Sequence, residues 1–138
     1  MNKDRKNFEF LDHTADIKIK VMGKALNEIF EAAIEAVAFY MSGGEKIACK
    51  KGKVIEVSGS DKESLLYKFL DELLYLVDAE GFAASKGEVL LRGNNLRAEL
   101  YGDDTKNHQL EHIKAATYAE MYIKKTEKGW EAQFVLDV

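Results

Sequence analysis

Proline is absent from this chain of 138 residues, and cysteine occurs once. Without proline, the boundaries between elements must be read from glycine and from polar turn residues. A single cysteine, Cys49, excludes an internal disulfide. Its neighbours Lys50 and Lys51 place positive charge beside the thiol, which favours the thiolate. An incidental thiol in a reducing compartment is the simpler reading. No apolar run approaches the ~18 residues that cross a bilayer. The opening Met1-Asn2-Lys3-Asp4-Arg5-Lys6 leads into no apolar segment, so no signal peptide is expected, and the expected location is the cytoplasm. An excess of positive charge is also missing. The formal net charge is -4, which argues against a broad phosphate-binding surface. Lys46, Lys50, Lys51 and Lys53 form a local basic patch near a turn, the usual character of a solvated surface. Any action on nucleic acid is expected to run through another protein. No glycine-rich phosphate loop follows a predicted strand, and no Ser-His-Asp or Cys-His arrangement stands out.

What is present describes one soluble globular domain over residues 1–138. Hydrophobic residues make up 46% and charged residues 32%. A chain of this length buries roughly 68–70% of its unfolded surface, enough for a core without covalent staples. Strands are predicted at 8–11 and 16–22. Over 24–41 the period changes: Leu26, Ile29, Phe30, Ala33, Val37 and Tyr40 recur at three- and four-residue steps, the signature of an amphipathic helix. Gly43-Gly44 ends it. A short strand follows at 53–58. Ser60-Asp61-Lys62-Glu63 reads as a capping box, with serine capping and glutamate three places on. The helix it opens carries Leu66, Phe69, Leu70, Leu73 and Val77 on one face and stops near Gly81.

The remainder reads as hairpins. Strands at 87–91 and 96–101 flank a turn at Arg92-Gly93-Asn94-Asn95. A polar loop covers 102–109, with Asp103-Asp104 as loop chemistry. Strands at 113–124 and 130–138 then enclose Thr126-Glu127-Lys128-Gly129. The expected class is α+β, two helices packed on a largely antiparallel β-sheet. In the last hairpin, Trp130, Ala132, Phe134 and Leu136 should match Thr117, Ala119, Met121 and Ile123. Pairing Ile123 with Trp130 places Asp137 opposite Ala116, with Lys114 and Tyr118 as diagonal neighbours.

Two stretches carry chemistry. Asp12-His13-Thr14-Ala15-Asp16 packs carboxylates, an imidazole and a hydroxyl at the lip of a strand. Such residues fill turns by bonding nearby backbone, and they also suit a ligand or metal site. The chain end, Phe134-Val135-Leu136-Asp137-Val138, lies within a predicted strand and sets the Asp137 carboxylate beside the terminal carboxylate of Val138. Oxygen donors of this kind suit Ca²⁺ or Mg²⁺, with a third carboxylate from Asp16 or Asp12. The plainer alternative is an ion pair between Lys114 and Asp137. His108 and His112 stand four apart with Glu111 between, a zinc spacing on a helix, but here they sit in a loop with no evident third ligand. Tyr67, Phe69 and Tyr75 read as core and interface.

Taken together, these segments resemble the archease family. The residues that carry the likeness are Phe10-Leu11-Asp12-His13-Thr14-Ala15-Asp16-Ile17, then His108 with Lys114-Ala115-Ala116-Thr117-Tyr118, and the end Trp130 to Val138. One departure is Ala119, where the family pattern carries histidine after the tyrosine. The resemblance spans essentially the whole chain. It implies an archease-like α+β protein that is no enzyme itself but an accessory activator of an RtcB-type RNA ligase in tRNA splicing. Such a protein promotes the ligase's covalent histidine–GMP intermediate and its multiple turnover. It also implies a divalent cation, Ca²⁺ ahead of Mg²⁺ or Mn²⁺, on Asp16, Asp137 and Val138, with Asp12 and His13 supporting the turn. The expected partner is the ligase, with RNA contacted only indirectly and no membrane. Two rivals remain: a chaperone or specificity factor for another tRNA-processing enzyme such as a tRNA methyltransferase, and a stand-alone metal-dependent hydrolase, for which His13 and His108 would be the imidazoles to test.

Overall fold

The computed structural model describes residues 7–11 and 16–138. Elements follow in the order β1 (Phe8–Leu11), β2 (Ile17–Gly23), α1 (Leu26–Ser42), β3 (Lys51–Ser58), α2 (Lys62–Glu80), β4 (Phe82–Arg92), β5 (Asn95–Asp104), a 3-10 turn (Thr105–Asn107), β6 (Ala115–Thr126) and β7 (Gly129–Asp137). The class is α+β, as expected. The strands divide into two antiparallel sheets, where the periodicity alone suggested one. One sheet runs β1-β2-β7-β6 and the other β3-β5-β4. α1 packs on β2 and β4, and α2 packs on β6 and β4, so each helix bridges both sheets.

Burial follows strand alternation. Ile19 and Val21 of β2, and Ala132, Phe134 and Leu136 of β7, are fully buried. From the second sheet, Leu96, Ala98 and Leu100 meet them in the same core. The helices touch through Phe30 and Phe69, edge to face with ring centres 5.7 Å apart, a geometry aromatic pairs favour.

Both helices stop at glycine, Gly43 at φ 67 and Gly81 at φ 64, where an αL cap satisfies the last carbonyls. Their starts differ from expectation. Asp61, not Ser60, caps α2, its carboxylate accepting from the Ser64 amide at 2.7 Å. A carboxylate binds that amide more strongly than a hydroxyl and also answers the positive end of the helix dipole. At α1 the cap position is Ala25, which has no acceptor; the Glu28 carboxylate instead reaches back to the amides of Lys24 at 2.7 Å and Ala25 at 3.3 Å.

Strand boundaries also move. β4 begins at Phe82 because Ala83 and Ala84 are buried beside Asp103 and Gly102. β5 runs on to Asp104, taking in what read as polar loop. The final hairpin closes one pair tighter, with Thr126 opposite Gly129.

The expected register of that hairpin does not hold. Ile123 faces Ala132, and Asp137 faces Ala115 rather than Ala116. Between Thr117–Val135 and Tyr122–Gln133 the ladder breaks, and β6 residues 118–121 stand opposite Phe134 alone. This wide bulge reverses the side-chain alternation. Ala116 is buried before it, whereas Met121 and Ile123 pack on the core after it and Ala119 is exposed. Tyr118 leaves the sheet to stack on Tyr67 of α2, with ring centres 4.3 Å apart and planes 12° from parallel. Glu120 takes φ 55, the one positive φ outside glycine among the described residues. Holding a side chain there costs about 1 kcal/mol.

Phe134 is fully buried opposite the bulge. Phe134→Ala should lower unfolding stability by about 3–5 kcal/mol, read as a lower urea midpoint at unchanged slope.

Candidate functional site

The central strand β7 holds β2 on one side and β6 on the other. At one end of this ladder Ile17 faces Leu136, so Asp16 is the next position outward opposite Asp137. On the other flank Ala115 faces Asp137, and the Lys114 amide donates to the Asp137 carbonyl at 2.8 Å. Leu136 is buried and Val138 packs against the core. Alternation therefore turns the Asp137 carboxylate to the outer face and fixes the Val138 main chain beside it. Asp16 and Asp137 are both partly exposed. Asp12, His13 and Thr14 lie outside the described residues.

The alternative ion pair is not what holds Asp137. Among the described residues, no side-chain salt bridge joins Lys114 to Asp137; the link between them is through main chain. The nearest charged side chain on the outer face of β2 is Lys18, opposite Val135. Its ammonium lies 2.7 Å from the Glu120 carboxylate, reaching across β7 to the bulge of β6. The Gln133 amide donates to the Glu120 carbonyl at 2.8 Å. Val135 faces away from the core yet is fully buried, which fits a strand capped on that side by the Lys18 stem and the bulge.

As a donor set, two aspartate carboxylates and a main-chain oxygen are all hard oxygen and fit Ca²⁺ or Mg²⁺ better than a softer metal. Among the described residues no group of three or more His, Cys, Asp or Glu side chains could hold a metal ion. That finding leaves the zinc spacing of His108 and His112 without support. Among the described residues, it leaves the Asp16–Asp137 end as a half-shell, not a cage.

The other motifs go elsewhere. Cys49 is exposed. Asp103 is not loop chemistry: it is 3% exposed at the end of β5. Its carboxylate accepts from the Asp104 amide at 2.8 Å, from Asn107 at 3.2 Å and from His108 Nε2 at 3.0 Å. The His108 hydrogen bond leads these contacts in holding the Asp103 carboxyl below its ordinary value, against burial, which pushes it up. This cluster ties the segment after β5 to the sheet. The His108–Asp103 pairing escaped the sequence reading because their five-residue separation crosses a strand end that looked like loop. The Lys18–Glu120 pair gave no signal at all, since it depends on the bulge.

A cleft of about 890 Å³ lies near Gly23, Lys24, Glu28, Glu31 and Trp130. Gly23 faces Trp130 at the opposite end of the β2–β7 ladder from Asp16, roughly 20 Å away at 3.3 Å per residue. The carboxylate end is therefore not the wall of that cleft.

A family model described as the archease protein family matches residues 8–138. This chain belongs to the archease family. Within the family, the archease of Pyrococcus abyssi is 40% identical, the alignment covering 96% of this chain and 99% of that protein. The archease of Methanosarcina barkeri is 37% identical over the full length of both. The solution structure of Methanobacterium thermoautotrophicum protein 1598 superposes with a TM-score of 0.79 at 28% identity, covering 97% of this chain and all of that one. A Thermotoga maritima crystal structure, described as an archease and possible chaperone, shares the fold at TM-score 0.66 and 19% identity, covering 93% and 94% of the two chains. No helix among the described residues is long and apolar enough to cross a membrane.

The lowered Asp103 value has a definite sign. A depressed carboxyl stabilises the fold above its ordinary value of 3.8 and loses that contribution as pH falls below it. Asp103→Asn should therefore lower Tm at pH 7, and the gap to the parent should shrink as pH drops below about 4. Thermal melts across that range, followed by circular dichroism, check it.

Proposed function

We propose that this archease-family protein activates an RtcB-type RNA ligase, presenting a divalent cation from Asp16, Asp137 and a main-chain oxygen of Val138. The observation that carries the reading is the register of β2 on β7, which sets Asp16 opposite Asp137 at one open end of the sheet. The strand ends hold these donors rigidly, and the half-shell leaves coordination positions for water or for a partner's groups. An enclosing pocket is what a catalyst for a small substrate needs, and none of the principal clefts among the described residues is lined by Asp16 or Asp137. An accessory role fits it better than a stand-alone hydrolase.

In the proposed role, the cation supplies charge neutralisation at the nucleotide triphosphate while the ligase's histidine is guanylylated. Ca²⁺ is the favoured ion, with Mg²⁺ and Mn²⁺ as alternatives. The part played by this chain is positional. Leu136 and Val138 anchor the end of β7 in the core, the Lys114 amide pins the Asp137 carbonyl, and the two carboxylates are left facing outward. A net charge of -4 suits contact with the protein partner more than with RNA. Action in the cytoplasm, within tRNA splicing, belongs to the same proposal.

A second reading is a chaperone or specificity factor for another tRNA-processing enzyme, such as a tRNA methyltransferase. The Thermotoga structure's description as a possible chaperone favours it. In that reading the tip binds a partner without needing a cation.

The test is ligase guanylylation with Asp16→Ala and Asp137→Ala supplied separately. Each variant should keep the parent's circular dichroism and Tm to within a few degrees, and each should lose about tenfold or more of the stimulation, the scale of a lost metal ligand or its support. Normal stimulation by both folded variants would sink the cation mechanism. Rescue of a methyltransferase by those same variants would favour the chaperone reading.

A further inference from the structure

Glu120 is the non-glycine residue at positive φ, on a bulge that interrupts β6. Glycine would occupy that conformation without strain. An exposed ion pair stabilises a fold weakly, and half of the Glu120 side chain is exposed against 18% for Lys18. Stability is thus a poor reason for a glutamate at this point. Its location gives a better one. Lys18 is the residue two beyond Asp16 on β2, about 7 Å along the strand, and it lies opposite Val135, two before Asp137. Of the two lysines on the outer face of β2, it is the one nearer the carboxylate tip.

We infer that Glu120 is a positioning residue that draws the Lys18 ammonium across β7 and away from Asp16 and Asp137, keeping the tip negative enough to take a divalent cation. The inference rests on the cation reading above and adds a determinant of affinity that touches no metal. Three contacts hold the arrangement. The Lys18 ammonium sits 2.7 Å from the carboxylate, Gln133 fixes the Glu120 carbonyl from β7 at 2.8 Å, and the Thr117 hydroxyl accepts from the Ala119 amide at 3.1 Å. Lys20, the next base along β2, is drawn the other way, toward Glu9 of β1 at 4.0 Å. Both lysines of the strand's outer face are thereby matched by carboxylates other than those of the tip.

The charges predict effects of opposite sign. Glu120→Gln removes one negative charge near the tip. Lys18→Met removes one positive charge there. The double variant is neutral, like the parent pair. For one unit charge acting on a divalent ion across about 8 Å, fully exposed to water, each single change is worth about five- to tenfold in affinity. Calcium chloride titrated calorimetrically into the full-length chain should show Glu120→Gln binding about five- to tenfold more weakly, Lys18→Met more tightly, and the double variant close to the parent. A purely structural role for the bridge would weaken both singles alike, with Tm falling in step. The inference is overturned if Glu120→Gln binds as the parent does, or if Lys18→Met binds more weakly. If instead the parent binds no calcium, or Asp16→Asn binds as well as the parent, the cation reading itself falls and takes this inference with it.

Discussion

The pairing of β2 with β7 is the constraint on which the rest depends. Ile19 and Val21 alternate with Lys18 and Lys20 on β2, and Phe134 and Leu136 alternate with Val135 and Asp137 on β7. Only one register buries both apolar rows together, because a slip of one residue would turn Phe134 and Leu136 to water. Burying Ile19, Phe134 and Leu136 completely therefore also decides what stands at the end of the ladder. Asp16 meets Asp137 because hydrophobic residues several positions away have no other acceptable partners. Two like charges side by side on adjacent strands are unfavourable by themselves. The core supplies the free energy that holds them there.

The second consequence of that register falls on β6. Its first residues pair with β7 at Ala115–Thr117 and its later residues at Tyr122–Thr126, but the two stretches are out of step. Both ends have strong reasons for their places: Ala116 is buried beside Leu136, and Met121 and Ile123 pack on the core. The surplus residues between them cannot join the ladder and loop out over the strand. Tyr118 goes to the α2 side and stacks on Tyr67, while the Glu120 carboxylate reaches Lys18 over the face that carries Val135. A single irregularity thus links α2, β6, β7 and β2 close to the tip.

Much of this was legible in the sequence, for reasons that can be named. The helices showed themselves through Ile29, Phe30, Ala33 and Val37 and through Leu66, Phe69, Leu70 and Leu73, because an amphipathic stripe is a local property. Gly43 and Gly81 marked their ends correctly, since αL caps are local too. The division into two sheets was not legible, because alternation within a strand does not say which strand lies beside it. The register error had one cause: Thr117, Ala119, Met121 and Ile123 alternate without a break in the sequence, and nothing in that row marks the bulge that reverses the alternation partway along it. Asp103 was misplaced for a related reason. Its polarity suggested loop, but a buried carboxylate is tolerated where three donors answer it.

Candidate donors at the two ends of the chain could be proposed from residue type and from the resemblance, but nothing in their spacing of more than a hundred positions brings them together. That step belongs to the β2–β7 register. Among the described residues, it also leaves the tip open. Strand ends project donors from one side, so a site built from two adjacent strand termini can supply about half of the six to eight oxygens that calcium takes. In the proposed role, the rest would come from other donors, among them water and whatever docks there. An ion held in this way would be bound weakly enough for nearby charges to matter, and would be presented outward at the end of the β2–β7 ladder. Those are properties suited to a protein that acts on another protein's active site, where a closed cage would hide the ion from the chemistry it is meant to assist.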